Sequence, residues 1–197
     1  MKLIGLTGGI GSGKTMVAEI FKTMGIPVYS SDDQGKLIMN SDANVIQKIT
    51  DLFGPDAYHE GKLNNKWIAS KVFQDKGLLK QLNSIVHPAV YEDLIRWSEK
   101  QEFIQAPYLI QESAILFEEN LTKRFQATIL VVADAETRIA RVMKRDQTDR
   151  EKVLRRMEQQ WPDEKKIPLA DFVIYNDGER PLLRQVLDIH TMIIKLF

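Results

Sequence analysis

Lys14 and Thr15 directly follow Gly13 in the stretch Gly8-Gly-Ile-Gly-Ser-Gly-Lys-Thr15, which satisfies G-x-x-x-x-G-K-[ST] with Gly8, Gly13, Lys14 and Thr15 at the fixed positions. These residue types at this spacing hold a nucleoside triphosphate. Glycines permit backbone conformations closed to other residues, so successive N–H groups can point inward around a phosphate. A helix beginning near Gly13 would add its unpaired amides and the positive end of its dipole. Lys14 would reach the β- and γ-phosphates, and the Thr15 hydroxyl would ligate Mg²⁺. The expected nucleotide contacts are Gly9, Gly11, Ser12, Gly13, Lys14, Thr15 and Met16, joined further along the chain by Asn176. The bland alternative is a flexible glycine turn with a solvated lysine. It requires residue identity, spacing and flanking elements to coincide by chance.

Further groups with chemical potential lie downstream. Asp32 and Asp33 follow a short apolar segment and read either as the acidic first turn of a capped helix or as catalytic carboxylates. Glu112 ends another apolar segment, where an acidic group could stand over the water shell of Mg²⁺. Arg138, Arg141 and Arg145 recur at helical spacing and share a face. Such a run reads as a solvated helix surface or, given the phosphate loop, as a lid whose guanidinium groups fold over the triphosphate. His87 either anchors a helix junction or touches substrate. Glu118 reads as a cap or a partner within its loop, and His59 as a solvated loop histidine.

The elements that must carry these groups follow from the hydrophobic pattern. Leu3, Ile4 and Leu6 form a strand before the glycine loop, and Met16–Phe21 continues as a helix. Gly25 suits a helix C-cap, and Ile26–Tyr29 reads as a second strand, parallel to the first after a right-handed crossover. From Asn40 to Glu102 the pattern is mostly helical, with segments at 45–53, 65–73, 75–84 and 88–100 broken by Gly54-Pro55, Gly61 and His87-Pro88. The stretch at 56–61 reads as a loop or small hairpin. Strands then follow at 107–112, 125–133 and 169–176, and an amphipathic helix runs from Arg180 to Leu196. Trp67, Trp97 and Trp161 fall on predicted helices and read as packing residues.

This pattern predicts an α/β fold: a three-layer P-loop kinase architecture with a parallel sheet of about five strands, an inserted helical acceptor-binding subdomain and a helical lid. The expected organisation is a single domain over 1–197. Its nucleotide-binding core spans 1–32, 105–135 and 167–197, the acceptor subdomain 33–104, and the lid 136–166.

Composition bounds the function. The formal net charge is zero, so no global basic field argues for nucleic acid or an anionic membrane as partner. The absence of cysteine excludes disulfides, cysteine-zinc sites and thiol catalysis. The chain runs from Met-Lys straight into a core strand and holds no apolar run of membrane-spanning length, so the expected location is the cytoplasm. The expected state is a monomer or weak homo-oligomer.

Taken together in order, the motifs resemble the dephospho-CoA kinase family over nearly the whole chain. Leu6-Thr-Gly-Gly-Ile-Gly-Ser-Gly-Lys14 matches that family's form of the P-loop. Gly25-Ile-Pro-Val-Tyr-Ser-Ser-Asp32 is similar to its segment ending in Asp-Ala-Asp, Ile85-Val-His-Pro88 to its His-Pro motif, and Ala114-Ile-Leu-Phe-Glu118 to its Pro-Leu-Leu-Phe-Glu motif. Arg138–Arg145 and Met157-Glu-Gln-Gln160 fall where its lid lies, and Asp171–Asn176 resembles its last strand. Three positions depart from the pattern: Ser30 stands where the first Asp is usual, Ala114 where Pro is usual, and Glu112 where Asp is common.

The resemblance implies transfer of the ATP γ-phosphoryl group, with Mg²⁺, to the ribose 3′-hydroxyl of dephospho-CoA, giving CoA and ADP in the last step of coenzyme A synthesis. It implies Asp32 as the catalytic carboxylate, with Lys14, Arg141 and Arg145 stabilising the transferring group. Asp32, His87 and Arg138 are the implied acceptor contacts, and Thr15 and Glu112 the implied metal ligands. Competing classes are a kinase for another small acceptor, a GTP switch and a silent binding module. The switch lacks a guanine-reading motif, because Asn65-Lys66-Trp67-Ile68 has no aspartate. A silent module is hard to reconcile with Lys14, Thr15 and Asp32 together.

Overall fold

The computed structural model describes residues 2–100, 103 and 105–196. The chain forms two compact units, Met1–Ser30 with Glu102–Phe197, and Ser31–Gln101. The expected end of the helical stretch at Glu102, and the expected subdomain boundary at 104, lie outside the described residues.

In chain order, the first unit opens with β1 (Leu3–Thr7), α1 (Lys14–Thr23) and β2 (Val28–Ser30). The second unit comprises α2 (Ser31–Ser41), α3 (Ala43–Phe53), β3 (Tyr58–His59), β4 (Lys62–Leu63), α4 (Asn65–Gln74) and α5 (Lys76–Ser98). The chain then returns to the first unit through β5 (Leu109–Glu112), β6 (Ala127–Val132), α6 (Ala135–Asp146), α7 (Arg150–Met157), α8 (Asp163–Lys166), β7 (Phe172–Tyr175) and α9 (Leu182–Lys195).

The sheet of the first unit has five strands in the order β2-β5-β1-β6-β7, every pair parallel. Parallel strands covered on both faces read as unbroken apolar runs, and all six residues of β6 are buried. On one face, Val17, Ala18 and Phe21 of α1 and Val186, Ile189 and Ile193 of α9 close over Ile4, Leu6, Ile110 and Ile129. On the other, Leu116, Phe117, Leu130 and Val132 are buried together, with Trp161 and Ile167 packed against them. This three-layer α/β core is the expected one. Because all strands point the same way, the residues after β1, β5, β6 and β7 emerge at one edge, where such folds bind ligands.

In the second unit α5 is the spine. Leu82, Val86, Val90 and Leu94 recur every fourth residue and are all buried, a stripe on one helix face. The expected break at His87-Pro88 does not occur. Proline inside a helix forfeits a hydrogen bond and costs about 3 kcal/mol, yet Pro88 lies within the continuous helix Lys76–Ser98. Burial of the stripe on both sides of Pro88 offsets that cost, so His87 stands mid-helix instead of heading a new one. Asp42, Asn64 and Asp75 cap α3, α4 and α5 by accepting backbone N–H bonds. β3 and β4 form a hairpin across Glu60 and Gly61, both at positive φ, as a two-residue hairpin turn demands. One further expectation is corrected: Trp161 lies in the connection between α7 and α8, not on a helix.

Candidate functional site

The strand-loop-helix at β1–α1 is the one the glycine pattern requires. Gly13 has φ 98°, and any Cβ there would collide with the Asn176 side-chain amide, so no other residue type fits both backbone and neighbour. No side chain caps the start of α1, which leaves that end suited to an anion. Lys14 Nζ donates to the Gly8 carbonyl at 2.9 Å and stands 3.8 Å from Glu112 Oε1. Ser30 Oγ donates to Glu112 Oε2 at 3.2 Å, a contact set by the register that places Ser30 beside Glu112 in paired β2 and β5. Ser30 thus belongs to the site, although by type it reads only as a departure from the family pattern.

Asn176, just after β7, donates through Nδ2 to the Ser12 carbonyl at 2.8 Å. Its own carbonyl and Oδ1 accept from Arg141 Nη2 at 3.2 and 3.4 Å, while Arg141 Nη1 makes long contacts with the Gly11 and Ser12 carbonyls. Arg138 is 7% exposed; its Nε donates to the Ile10 carbonyl at 3.0 Å and its Nη1 to Asp163 Oδ2 at 3.1 Å. Burial pushes the Asp163 carboxyl up, against the opposing pull of the Arg138 and Lys166 charges. Arg138 and Arg141 are therefore brought to the phosphate loop. Arg145 is not placed with them: it is largely exposed and grips Asp146 at 2.6 and 3.1 Å. The Asp146 carboxyl, which also takes Arg156, is held well below the usual range by those two guanidinium groups. Met16, in the first turn of α1, is 60% exposed.

Glu118 is engaged by the chain that follows α7. Its Oε1 accepts from Trp161 N–H at 2.9 Å and lies 3.0 Å from the fully buried Lys166 Nζ, off the line of a hydrogen bond, so that attraction is one of charge. Gln160 joins the phosphate loop to the segment after β5, accepting from Ile10 N–H and donating to the Ala114 carbonyl. The carboxyl ends of β6 and β7 open onto a cavity of about 700 Å³ walled by Val132, Met157, Trp161 and Tyr175, with Asp134, which caps α6, and Arg138 within it.

In the second unit, Asp32 and Asp33 occupy the first turn of α2, both exposed. Asp33 Oδ1 accepts from Lys36 at 3.0 Å. A Cβ added at Gly35 would come into van der Waals contact with Val86 and Val90, so α2 packs closely against α5. His59, in the hairpin, is exposed.

The residues present fit Mg²⁺ by chemistry. The Thr15 and Ser30 hydroxyls and the Glu112 carboxylate are hard oxygen donors, and a magnesium ion that keeps waters and phosphate oxygens needs only one or two protein ligands. Among the described residues no cluster of three His, Cys, Asp or Glu offers an all-protein metal site.

Fold and site together define a P-loop kinase of the small-molecule class. A family model described as dephospho-CoA kinase matches residues 2–181. A dephospho-CoA kinase of Bacteroides fragilis is 38% identical over 186 residues, 94% of this chain and 90% of the relative. The crystal structure of TT1252 from Thermus thermophilus superposes with a TM-score of 0.86 at 34% identity, covering 97% of this chain and 96% of that one. A dephospho-CoA kinase from Campylobacter jejuni, at 24% identity and TM-score 0.68, covers 99% and 98% and shares the fold. The chain belongs to the dephospho-CoA kinase family.

Proposed function

We propose that this protein transfers the γ-phosphoryl group of ATP to the ribose 3′-hydroxyl of dephospho-CoA, giving CoA and ADP in the final step of coenzyme A synthesis, in the cytoplasm. The observation that carries the reading is the phosphate loop, with Lys14 between the Gly8 carbonyl and Glu112, in a chain that belongs to this family. Loop amides and Lys14 hold the β- and γ-phosphates. Thr15 and Glu112, aided by Ser30, would hold Mg²⁺, which would neutralise charge on the phosphates. Arg141, which contacts Asn176 and the loop carbonyls, balances charge on the transferring group, and Arg145 would join it by leaving Asp146. Asp32 accepts a hydrogen bond from the 3′-hydroxyl and aligns its oxygen for in-line attack; in a loose transition state alignment counts for more than basicity. His87 contributes to holding the acceptor. Arg138, bonded to the Ile10 carbonyl at the phosphate loop, contributes to holding the acceptor.

The test is ADP release from Mg-ATP with dephospho-CoA, beside nucleoside monophosphates and sugar acids as acceptors. Release that depends on dephospho-CoA alone supports the proposal. Release with a different acceptor, or none despite ATP binding, refutes it.

A further inference from the structure

Ile10 has both of its backbone polar groups taken by side chains from far along the chain. Its N–H donates to Gln160 Oε1 at 2.8 Å, and its carbonyl accepts from Arg138 Nε at 3.0 Å. The other end of the Gln160 amide donates to the Ala114 carbonyl at 3.3 Å, so one planar group spans the loops after β1 and β5. Arg138 is itself fixed by Asp163, and a Cβ on Gly9 would collide with the guanidinium, so the phosphate loop is shaped to admit it. The segment carrying Gln160 and Asp163 has an independent anchorage, through Trp161 and Lys166 to Glu118.

We infer that Gln160 is a positioning residue for phosphoryl transfer: it clasps Ile10 opposite Arg138 and fixes the shape of the phosphate loop. The physical reason is geometric. An anion nest works only while its N–H groups converge, and a loop of glycines has no intrinsic preference for that shape. External bonds to Ile10 supply it. Gln160 touches no reacting atom, and its effect passes through the loop.

This inference rests on the nucleotide-binding reading of the loop, so the test reads ADP affinity by calorimetry, without acceptor. Gln160→Met keeps the length and removes both hydrogen bonds. With both bonds lost, the expected result is ADP binding weakened about tenfold or more, ATP KM raised in parallel, and dephospho-CoA KM within about twofold of wild type. Glu118→Gln keeps the acceptor for Trp161 and loses the charge opposite Lys166; it should lower the melting temperature and leave ADP affinity intact. ADP affinity in Gln160→Met within about twofold of wild type overturns the inference. So does an equal loss in Glu118→Gln, which would make seating of the segment, not the clasp, responsible. A wild-type protein that binds no ADP would instead refute the nucleotide reading itself. Amide exchange provides a check independent of variant folding: Ile10 N–H in the wild type should be strongly protected, and rapid exchange there overturns the clasp.

Discussion

Lys14 Nζ and Glu112 Oε1 stand 3.8 Å apart, each side chain only 11% exposed. That separation is too long for a hydrogen bond, and the ammonium donates to the Gly8 carbonyl instead. The lysine thus stands between a carbonyl and a nearby charge at the mouth of the phosphate loop. Glu112→Gln preserves the side-chain shape and an acceptor for Ser30 but removes the charge. The Mg²⁺ concentration for half-maximal activity should rise about tenfold, as read by magnesium titration at fixed ATP. An unchanged midpoint would remove Glu112 from the metal site.

Asn176 supports the loop at Ser12 and receives Arg141. Asn176→Ala deletes the Ser12 bond and one Arg141 acceptor, a loss of about 1–2 kcal/mol by ordinary hydrogen-bond values. ATP KM should increase roughly tenfold with acceptor KM little changed. Steady-state kinetics with each substrate varied decides it; a rise confined to the acceptor would place Asn176 elsewhere in the reaction.

The continuous α5 predicts a stability gain at Pro88. Pro88→Ala restores a helix hydrogen bond and removes a steric clash, worth up to about 3 kcal/mol, less about 1 kcal/mol for the looser unfolded chain. Denaturant unfolding should show a net gain of about 1–2 kcal/mol. A loss of stability would mean that α5 needs the proline for its shape.

His190 bonds to the Tyr108 hydroxyl through Nδ1 at 2.7 Å, and its burial lowers the imidazole pKa from 6.5. The sign follows from linkage. Below the unfolded value the unfolded chain binds more protons than the folded one, so stability falls as pH drops from 6.5 through the folded value and is fully present above 6.5. Denaturation midpoints between about pH 7.5 and about pH 5 should fall more steeply for wild type than for His190→Gln. Parallel curves would show that this histidine does not carry the acid sensitivity.

These results also show where sequence reasoning reaches its limit. The phosphate loop was readable because its chemistry is local: Gly13, Lys14 and Thr15 must be neighbours in the chain. The parallel sheet was readable because β6 is an unbroken apolar run. The break expected at His87-Pro88 failed because propensity is weak beside a buried stripe that continues through Leu82, Val86, Val90 and Leu94. The engagements of Gln160 with Ile10 and of Glu118 with Lys166 join residues 150 and 48 apart in number, so no local pattern announces them. Ser30 illustrates the same limit. Only the pairing of β2 with β5 puts its hydroxyl beside Glu112.

The most direct measurement is the identity of the product. Purified protein, Mg-ATP and dephospho-CoA are incubated, and the acceptor product is examined by mass and by phosphorus NMR, with Asp32→Asn run in parallel. The account predicts a product heavier by one phosphoryl group, attached at the ribose 3′-oxygen, formed about 10²-fold or more slowly by the variant at nearly unchanged ATP affinity. Phosphorylation at another position, or none, would contradict the proposed activity. Equal turnover by the variant would contradict the role of Asp32.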